Sequence, residues 1–546
     1  MEEENNRCDV ASETEGTAEQ PQTPPVRKGF LGKVDNFFGI SRAKSTFRNE
    51  IIGGLVTFMA MVYILMVNAG MFSGNVPLLN EILNETVDGV NTTISSVTQW
   101  NLGVSYGAIY IATALSAIVG TLLMAFVARM PTGQASGMGL NAFFVYTICL
   151  GFGLTYANAL VLVLIDGVVF ILLTVTGLRK KLFSAIPKVV RTAIPAGIGL
   201  FIAFIGMQNV GLVIGDSATL VNLASFNFLA DATYGSVMPL ILTVIGIIAV
   251  AVMSKKGMKG ALLYGMLGTA ALYWAFTGIG YAFDPACKEV IINFTMSNPF
   301  TAFKDWGLQS VGQVFANGFN FGAYVEANGA GNLVLVIITS SLAFCMVDMF
   351  DTMGTLYGAC ARGNMLNEDG SIPNINKCMI CDAVATTAGA ICGTSTVTTF
   401  VESSAGIGAG ARTGFAALIT AGCFFVAMFL SPIAELIPSC ATAVALIYVG
   451  VLMMNSVRDI EWTDAAEAVP AFLTIAIMPF TYNISYGIAF GIISWLLIKS
   501  ILLLLNIRKK KPAEGEMVTV NPEEEKINVF TIVIAVLFIL MFFLTH

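Results

Sequence analysis

Asp348 and Asp351 stand three residues apart in the otherwise apolar run Leu342-Ala343-Phe344-Cys345-Met346-Val347-Asp348-Met349-Phe350-Asp351-Thr352-Met353-Gly354-Thr355. Glu402 closes a Thr- and Ser-rich run from Gly393, and Asp166 interrupts the apolar stretch 160–174. The spacing of three puts Asp348 and Asp351 on one face of a helix. An acid held at membrane depth costs several kcal/mol and marks a functional position by default. No basic residue in the surrounding stretches is placed to pair with Asp351 or Glu402. Removal from water favours the protonated form of such an unpaired carboxyl. Their chemistry is hydrogen-bond acceptance and proton binding. Asp348 either orients Asp351 or caps the broken helices. Asp166 reads as structural, hydrogen-bonded to a neighbouring helix. Asp382, just after Lys377, reads as a charge favourable to a helix N-terminus.

Several chemistries are excluded. The one histidine is His546, the last residue, so proton coupling has to use carboxylates, and His-based triads or metal centres have no imidazole. Cys378-Met379-Ile380-Cys381 has CxxC spacing but no thioredoxin-like context. Gly137-Met138-Gly139-Leu140-Asn141-Ala142 imitates a dinucleotide fingerprint without the βαβ unit that gives it meaning. No phosphate-binding loop is present, and Asn84-Glu85-Thr86 and Asn91-Thr92-Thr93 read as chance glycosylation triplets. The chain is expected to be no enzyme, to use no metal or cofactor beyond a coupling proton, and to bind no nucleic acid.

These acids need a scaffold, and the composition specifies a membrane one. Of 546 residues 56% are apolar and 12% charged, against about 25% charged in a soluble domain, and the mean hydropathy is +0.78. Apolar blocks of roughly 15 to 25 residues suit helices crossing a core about 30 Å thick. They predict spans over 51–72, 104–128, 138–152, 156–178, 192–214, 237–254, 258–281, 332–358, 381–393, 398–411, 413–430, 440–455, 468–482 and 484–505. A further apolar stretch, 527–545, either crosses or lies at the interface. With the N-terminus cytoplasmic, the clusters Arg27 to Arg48, Arg129, Arg179 to Lys181, Lys255 to Lys259, Arg362, Lys377, Arg412, Arg458 and Arg508 to Lys511 share the inner side. Lys288 and Lys304 fall outside.

Fourteen spans divide as seven plus seven about the outer loop 282–331, so the second half enters from the opposite face. Both halves carry an irregular third member, Thr132 to Asn141 in span three and Gly393 to Gly406 in span ten. Paired Gly-interrupted segments point to a midplane transport site. The expected fold is all-α and polytopic, a seven-plus-seven inverted repeat with short strands and half-helices in spans three and ten.

At these segments the chain resembles the AzgA-like branch of the nucleobase permeases, carriers of hypoxanthine, guanine and adenine. The resemblance rests on Phe38-Gly39-Ile40 with Arg48-Asn49-Glu50 through Phe58, on Gly137 through Phe144, on Val347 through Leu356, and on Gly393-Thr394-Ser395-Thr396 through Glu402-Ser403 to Arg412-Thr413-Gly414. It departs at Ala135-Ser136-Gly137, Asn68-Ala69 and Gly410-Ala411-Arg412, where the family has Ala-Pro-Gly, Asn-Pro and Gly-Gly-Arg. It implies a core domain of spans 1–4 and 8–11 (36–178 and 332–430) and a gate of spans 5–7 and 12–14 (179–281 and 431–505). Outside these lie an acidic disordered cytoplasmic tail (1–35), a charged linker (506–526) and the C-terminal apolar segment (527–546). It also implies a multi-pass plasma-membrane protein, with a homodimer as a family expectation. Substrate binding falls by motif position on Asp351, Glu402, Phe400, Val401 and Asn141, with Ser136 and Thr355 in the same motifs. Proton coupling falls on Glu402, Asp351 and Asp348.

A purine edge alternates N–H donors with acceptors, which a carboxylate and nearby backbone N–H groups complement; Phe400 offers a ring to stack on. The expected function is proton-coupled import of purine bases. The alternatives are an anion or carboxylate exchanger on the same plan, a uracil- or xanthine-type permease, and a membrane-embedded enzyme or channel. An anion site would offer cations and helix N-termini where this chain offers acids.

Overall fold

The computed structural model describes residues 29–73, 102–177, 186–216, 219–229, 232–293, 298–367, 371–505 and 527–544. Most of the acidic tail, both glycosylation triplets, Arg179 to Lys181, the whole charged linker with Arg508 to Lys511, and His546 lie outside the described residues.

Among the described residues, eleven helices are long and apolar enough to cross a membrane. They are span one Phe47–Ser73, two Tyr106–Ala128, four Tyr156–Val175, five Lys188–Asn209, six Tyr234–Lys255 and seven Ala261–Gly280, then eight Ala330–Arg362, nine Ile375–Cys392, eleven Gly414–Ala434, twelve Ser439–Asp459 and fourteen Ile484–Leu504. Span thirteen, Ala465–Thr481, is shorter and carries Pro470 and Pro479. Spans three and ten are broken. Span three is the strand β1 (Gln134–Ser136) followed by the helical stretch Met138–Gly151. Span ten has a strand over Val397–Thr399 and a half-helix, Ser403–Gly408. The expected fold class holds.

Local sequence explains where the spans begin. Ser105, Thr155 and Asn483 each accept a hydrogen bond from a first-turn backbone N–H of spans two, four and fourteen, satisfying donors left without intrahelical partners. Thr233 and Ser236 form a reciprocal capping box at span six. Small residues set the close approaches: a Cβ on Gly450 of span twelve would lie 2.4 Å from the Gly199 carbonyl of span five, as expected of helices packing in lipid.

Two packing groups result. Spans one, two, four, eight, nine, ten and eleven pack mainly on one another, and spans five, six, seven, twelve, thirteen and fourteen do likewise. The broken spans meet inside the first group. β1 pairs antiparallel with the strand of span ten, in the register Gln134↔Thr399, Ala135↔Thr398, Ser136↔Val397. All six residues are buried, so the backbone groups facing away from the ladder need partners from protein. Hydroxyls supply them. Thr121 Oγ1 accepts from Gln134 N at 3.0 Å and donates to Gln134 O at 3.1 Å. Thr386 Oγ1 accepts from Val397 N at 3.3 Å and donates to Val397 O at 3.1 Å.

The sequence did not predict three features. Strands β2 (Val213–Asp216) and β3 (Leu220–Leu223) form a hairpin between spans five and six; the span-ten strand is β4. The loop 282–331 folds into the helices Pro285–Asn293, Pro299–Gln309, Gln313–Ala316 and Gly322–Asn328. The latter part is tied to the first group: Gln309 accepts from Ser105 N at 2.7 Å, and Trp306 Nε1 donates to Cys392 O at 2.9 Å. Finally, span nine begins at Ile375, six residues before the predicted start, because its first turns hold Asn376 and Lys377.

The C-terminal apolar segment is a helix, Val529–Leu544. It packs on span eight and span fourteen, burying Ile534, Ala535 and Phe538. The Phe542 ring lies 5.3 Å from that of Tyr486 and 5.2 Å from that of Phe490, both on span fourteen.

Candidate functional site

Asp351 sits within span eight, where the strand pair ends against it. Thr398 of β4 donates from Oγ1 to Asp351 Oδ2 at 3.1 Å. Glu402 follows β4 at the entry to the half-helix Ser403–Gly408. Its Oε1 accepts from the phenol of Tyr63 in span one at 2.7 Å. Asp351 lies within electrostatic reach of both Glu402 and Tyr63. The two acids come from different spans, with a phenol and a threonine as hydrogen-bond partners. Neither partner brings positive charge. Both acids are half-buried and Val401 beside Glu402 is 43% exposed. Thr355 lies one turn beyond Asp351 on span eight and is nearly buried, as is Phe400.

Ser136 and Asn141 lie elsewhere, inside the packing, with no exposed surface. Asn141 Oδ1 accepts from Ser395 Oγ and its Nδ2 donates to Ser136 O at 3.4 Å. Ser136 Oγ and Thr394 Oγ1 share a hydrogen bond of 2.6 Å, and Thr394 accepts from Asn68 Nδ2 at 3.0 Å. In this conformation Asn141 ties the two broken segments to each other, and Ser136 reaches span one through Thr394.

A second group of acids is buried completely: Asp166, Asp348 and Asp382 have no exposed surface. The reading of Asp382 as a helix-terminal charge is corrected here. It lies two turns inside span nine and accepts from Gln134 Nε2 and Thr352 Oγ1, each at 2.8 Å. Asp166 Oδ2 accepts from Thr396 Oγ1 at 3.4 Å, Asp348 Oδ2 lies 3.4 Å from Thr386 Oγ1, whose single hydrogen is shared with the closer Val397 O, and both Oδ1 atoms have no hydrogen-bond partner. Asp348 and Asp382 lie within electrostatic reach of each other. The polar groups contacting these acids belong to β1, to Thr396 just before β4, and to spans eight and nine, so the cluster fixes the strand pair from behind. Among the described residues no group of three or more His, Cys, Asp or Glu is arranged to hold a metal ion.

Sequence reasoning missed Glu50 as well as Tyr63. Glu50 is fully buried, and its two oxygens accept from Arg412 N at 2.9 Å and Thr413 N at 3.3 Å, at the turn between spans ten and eleven. The Arg412 guanidinium donates to the carbonyls of Ile407 and Ala411, each at 2.7 Å. Replacing Glu50 with Ala would strand two buried N–H groups, at about 1–3 kcal/mol each. Glu50→Ala is expected to lower the thermal unfolding midpoint of the purified protein by several degrees, and Glu50→Gln by much less. The neighbouring Gly406 allows span one to touch the half-helix: a Cβ there would meet Thr57 Oγ1 at 2.0 Å and Gly53 O at 2.4 Å. Gly406→Val is expected to cost about 1–3 kcal/mol by overpacking and to reduce the amount of folded protein in membranes, read by fluorescence-detected size exclusion.

The permease family model (Xan_ur_permease) matches residues 48–490. The chain belongs to this family. Among its relatives, the guanine/hypoxanthine permease PbuO of Bacillus subtilis is 37% identical over 472 residues, 85% of this chain and 94% of that one. The adenine permease AdeP of Escherichia coli is 32% identical over 468 residues, 86% of this chain and 91% of that one. Among solved structures, the murine Slc26a9 anion transporter in the inward-facing state superposes with a TM-score of 0.53 at 10% identity, over 93% of this chain and 78% of that one. That likeness concerns the fold alone. The permease is thus a multi-pass membrane transporter and not an enzyme. The family match spans all four acids singled out at the start and Tyr63, and leaves the C-terminal helix outside it.

Proposed function

We propose that this permease imports purine nucleobases, hypoxanthine and guanine or adenine, across the plasma membrane together with a proton. The observation that carries the reading is that Asp351 and Glu402, two carboxylates from different spans whose partners are neutral donors, lie within electrostatic reach of each other. The names of the relatives support a base as cargo. A base offers N–H donors to the acids and ring or carbonyl acceptors to nearby donors. It is neutral, so a closed site that takes up an ionised carboxylate needs one positive charge, and a proton supplies it.

The cycle follows from the two packing groups. We take spans 1–4 and 8–11 as the core that carries base and proton, with Phe400 and Val401 beside the ring and Thr355 below it. Spans 5–7 and 12–14 form the gate against which it moves. Asp348 shares in proton handling from behind β4. The N-terminus is cytoplasmic in this scheme.

Uptake of labelled hypoxanthine, guanine and adenine into cells lacking their own base carriers tests it, with and without a protonophore and with unlabelled uracil, xanthine and sulfate as competitors. Uphill uptake of a purine that collapses with the protonophore is the expected result. Uptake competed by sulfate and indifferent to purines would replace this reading with anion exchange.

A further inference from the structure

Span one meets Glu402 in two ways. Its first half, Phe47–Met61, is fastened by Glu50 to the turn after the half-helix. The helix breaks at Val62, and Tyr63 opens the second half, Tyr63–Ser73. From Glu50 to Tyr63 is thirteen residues, about 20 Å of helix, so one element grips the half-helix at its far turn and the carboxylate at its start. Tyr63 is 1% exposed. A buried phenol needs a partner, and this one has taken the acid.

Resting on the transport reading above, we propose that Tyr63 is the positioning residue of proton coupling. Its phenol holds Glu402 in the proton-free form that awaits base and proton. When the proton arrives it forms an O–H bond on a Glu402 oxygen. The phenol keeps its own hydrogen throughout, donating to the carboxylate before and to the carbonyl oxygen of the acid after. A hydrogen bond to an ionised acceptor is about twice as strong as one between neutral groups, so the phenol sets how readily Glu402 loads.

Beside the phenol, the backbone N–H of Glu402 itself also donates to its carboxylate. The titratable groups bearing on Glu402 are Tyr63 from span one and Asp351 from span eight. Arg412 is spent on backbone carbonyls and Glu50 on backbone N–H groups. Arg362 ends span eight eleven residues beyond Asp351, about 16 Å along the axis.

The test is the pH dependence of initial base uptake by the full chain carrying Tyr63→Phe, with the amount in the membrane measured in parallel. Loss of the donor makes Glu402 keep its proton to higher pH. The alkaline limb of uptake is therefore expected to move up by about one unit, a tenfold change in proton affinity. Incorporation of 3-fluorotyrosine at position 63, a stronger donor, should move the limb the other way; it also serves if the phenylalanine variant fails to accumulate. An unmoved limb overturns the proposal, even if KM or the maximal rate changes. If the parent chain takes up no base, or does so without pH dependence, the transport reading has failed. The tyrosine is then judged in purified protein, by infrared titration of the carboxyl band that Glu402→Gln removes. That band must titrate at higher pH in Tyr63→Phe; if it does not, the proposal falls as well.

Discussion

Glu402→Gln is expected to abolish uphill accumulation of base while leaving the protein in the membrane and able to bind its cargo. Glutamine keeps the shape of the protonated acid and still accepts from the Tyr63 phenol, but it neither gains nor loses a proton. The loaded form is then available at every pH, and nothing ties its reorientation to the proton gradient. A proton moving down roughly 100 mV yields about 2.3 kcal/mol, and one pH unit adds about 1.4 kcal/mol. Together these sustain accumulation of several hundred-fold, at about tenfold per 1.4 kcal/mol. The variant should instead bring internal base only to the external concentration, and a protonophore should no longer alter its uptake. Normal uphill uptake by Glu402→Gln would remove this residue from proton handling.

Asp351→Ala is expected to act on binding. Each hydrogen bond to a charged group is worth about 1.5–3 kcal/mol, so loss of one or two acceptor contacts to the base should weaken apparent affinity by about 100-fold, at about tenfold per 1.4 kcal/mol. Thr398 would lose its acceptor as well, and Asp351→Asn, which retains one acceptor oxygen, should fall between. Asp166→Asn is the comparison. Asp166 is fully buried and makes a single contact of 3.4 Å with Thr396, so its amide isostere should change affinity only a few-fold. Concentration dependence of uptake in the three variants decides this, and equal losses for Asp351→Ala and Asp166→Asn would mean that the cargo is recognised elsewhere.

The spans were legible because lipid leaves a chain few options: a crossing segment must satisfy its own backbone and stay apolar for about twenty residues. The broken spans were legible from the same constraint, since a Thr- and Ser-rich run with glycines cannot be an ordinary span, and β1 and β4 lie where those runs are. Asp351 and Glu402 were legible as unpaired acids. Other features depend on partners distant in sequence. Tyr63 and Glu402 are 339 residues apart, and one tyrosine in an apolar helix looks like any other. Asp382 was misread because Lys377 and the polar start of span nine concealed two turns of helix before it. The outer helices and the β2–β3 hairpin are stretches of mixed polarity, in which the hydropathy that identifies spans has no contrast to report.

The helix Val529–Leu544 bears on how the machine moves. It rests at once on span eight, which carries Asp351, and on span fourteen of the other packing group. Any rocking of one bundle against the other has to drag it, slide it or prise it from one side. The rings at Tyr486 and Phe490 favour span fourteen as the side it keeps. In the proposed cycle the balance between outward- and inward-open forms includes the contact between Val529–Leu544 and span eight, an internal friction pad that lies outside the matched residues 48–490.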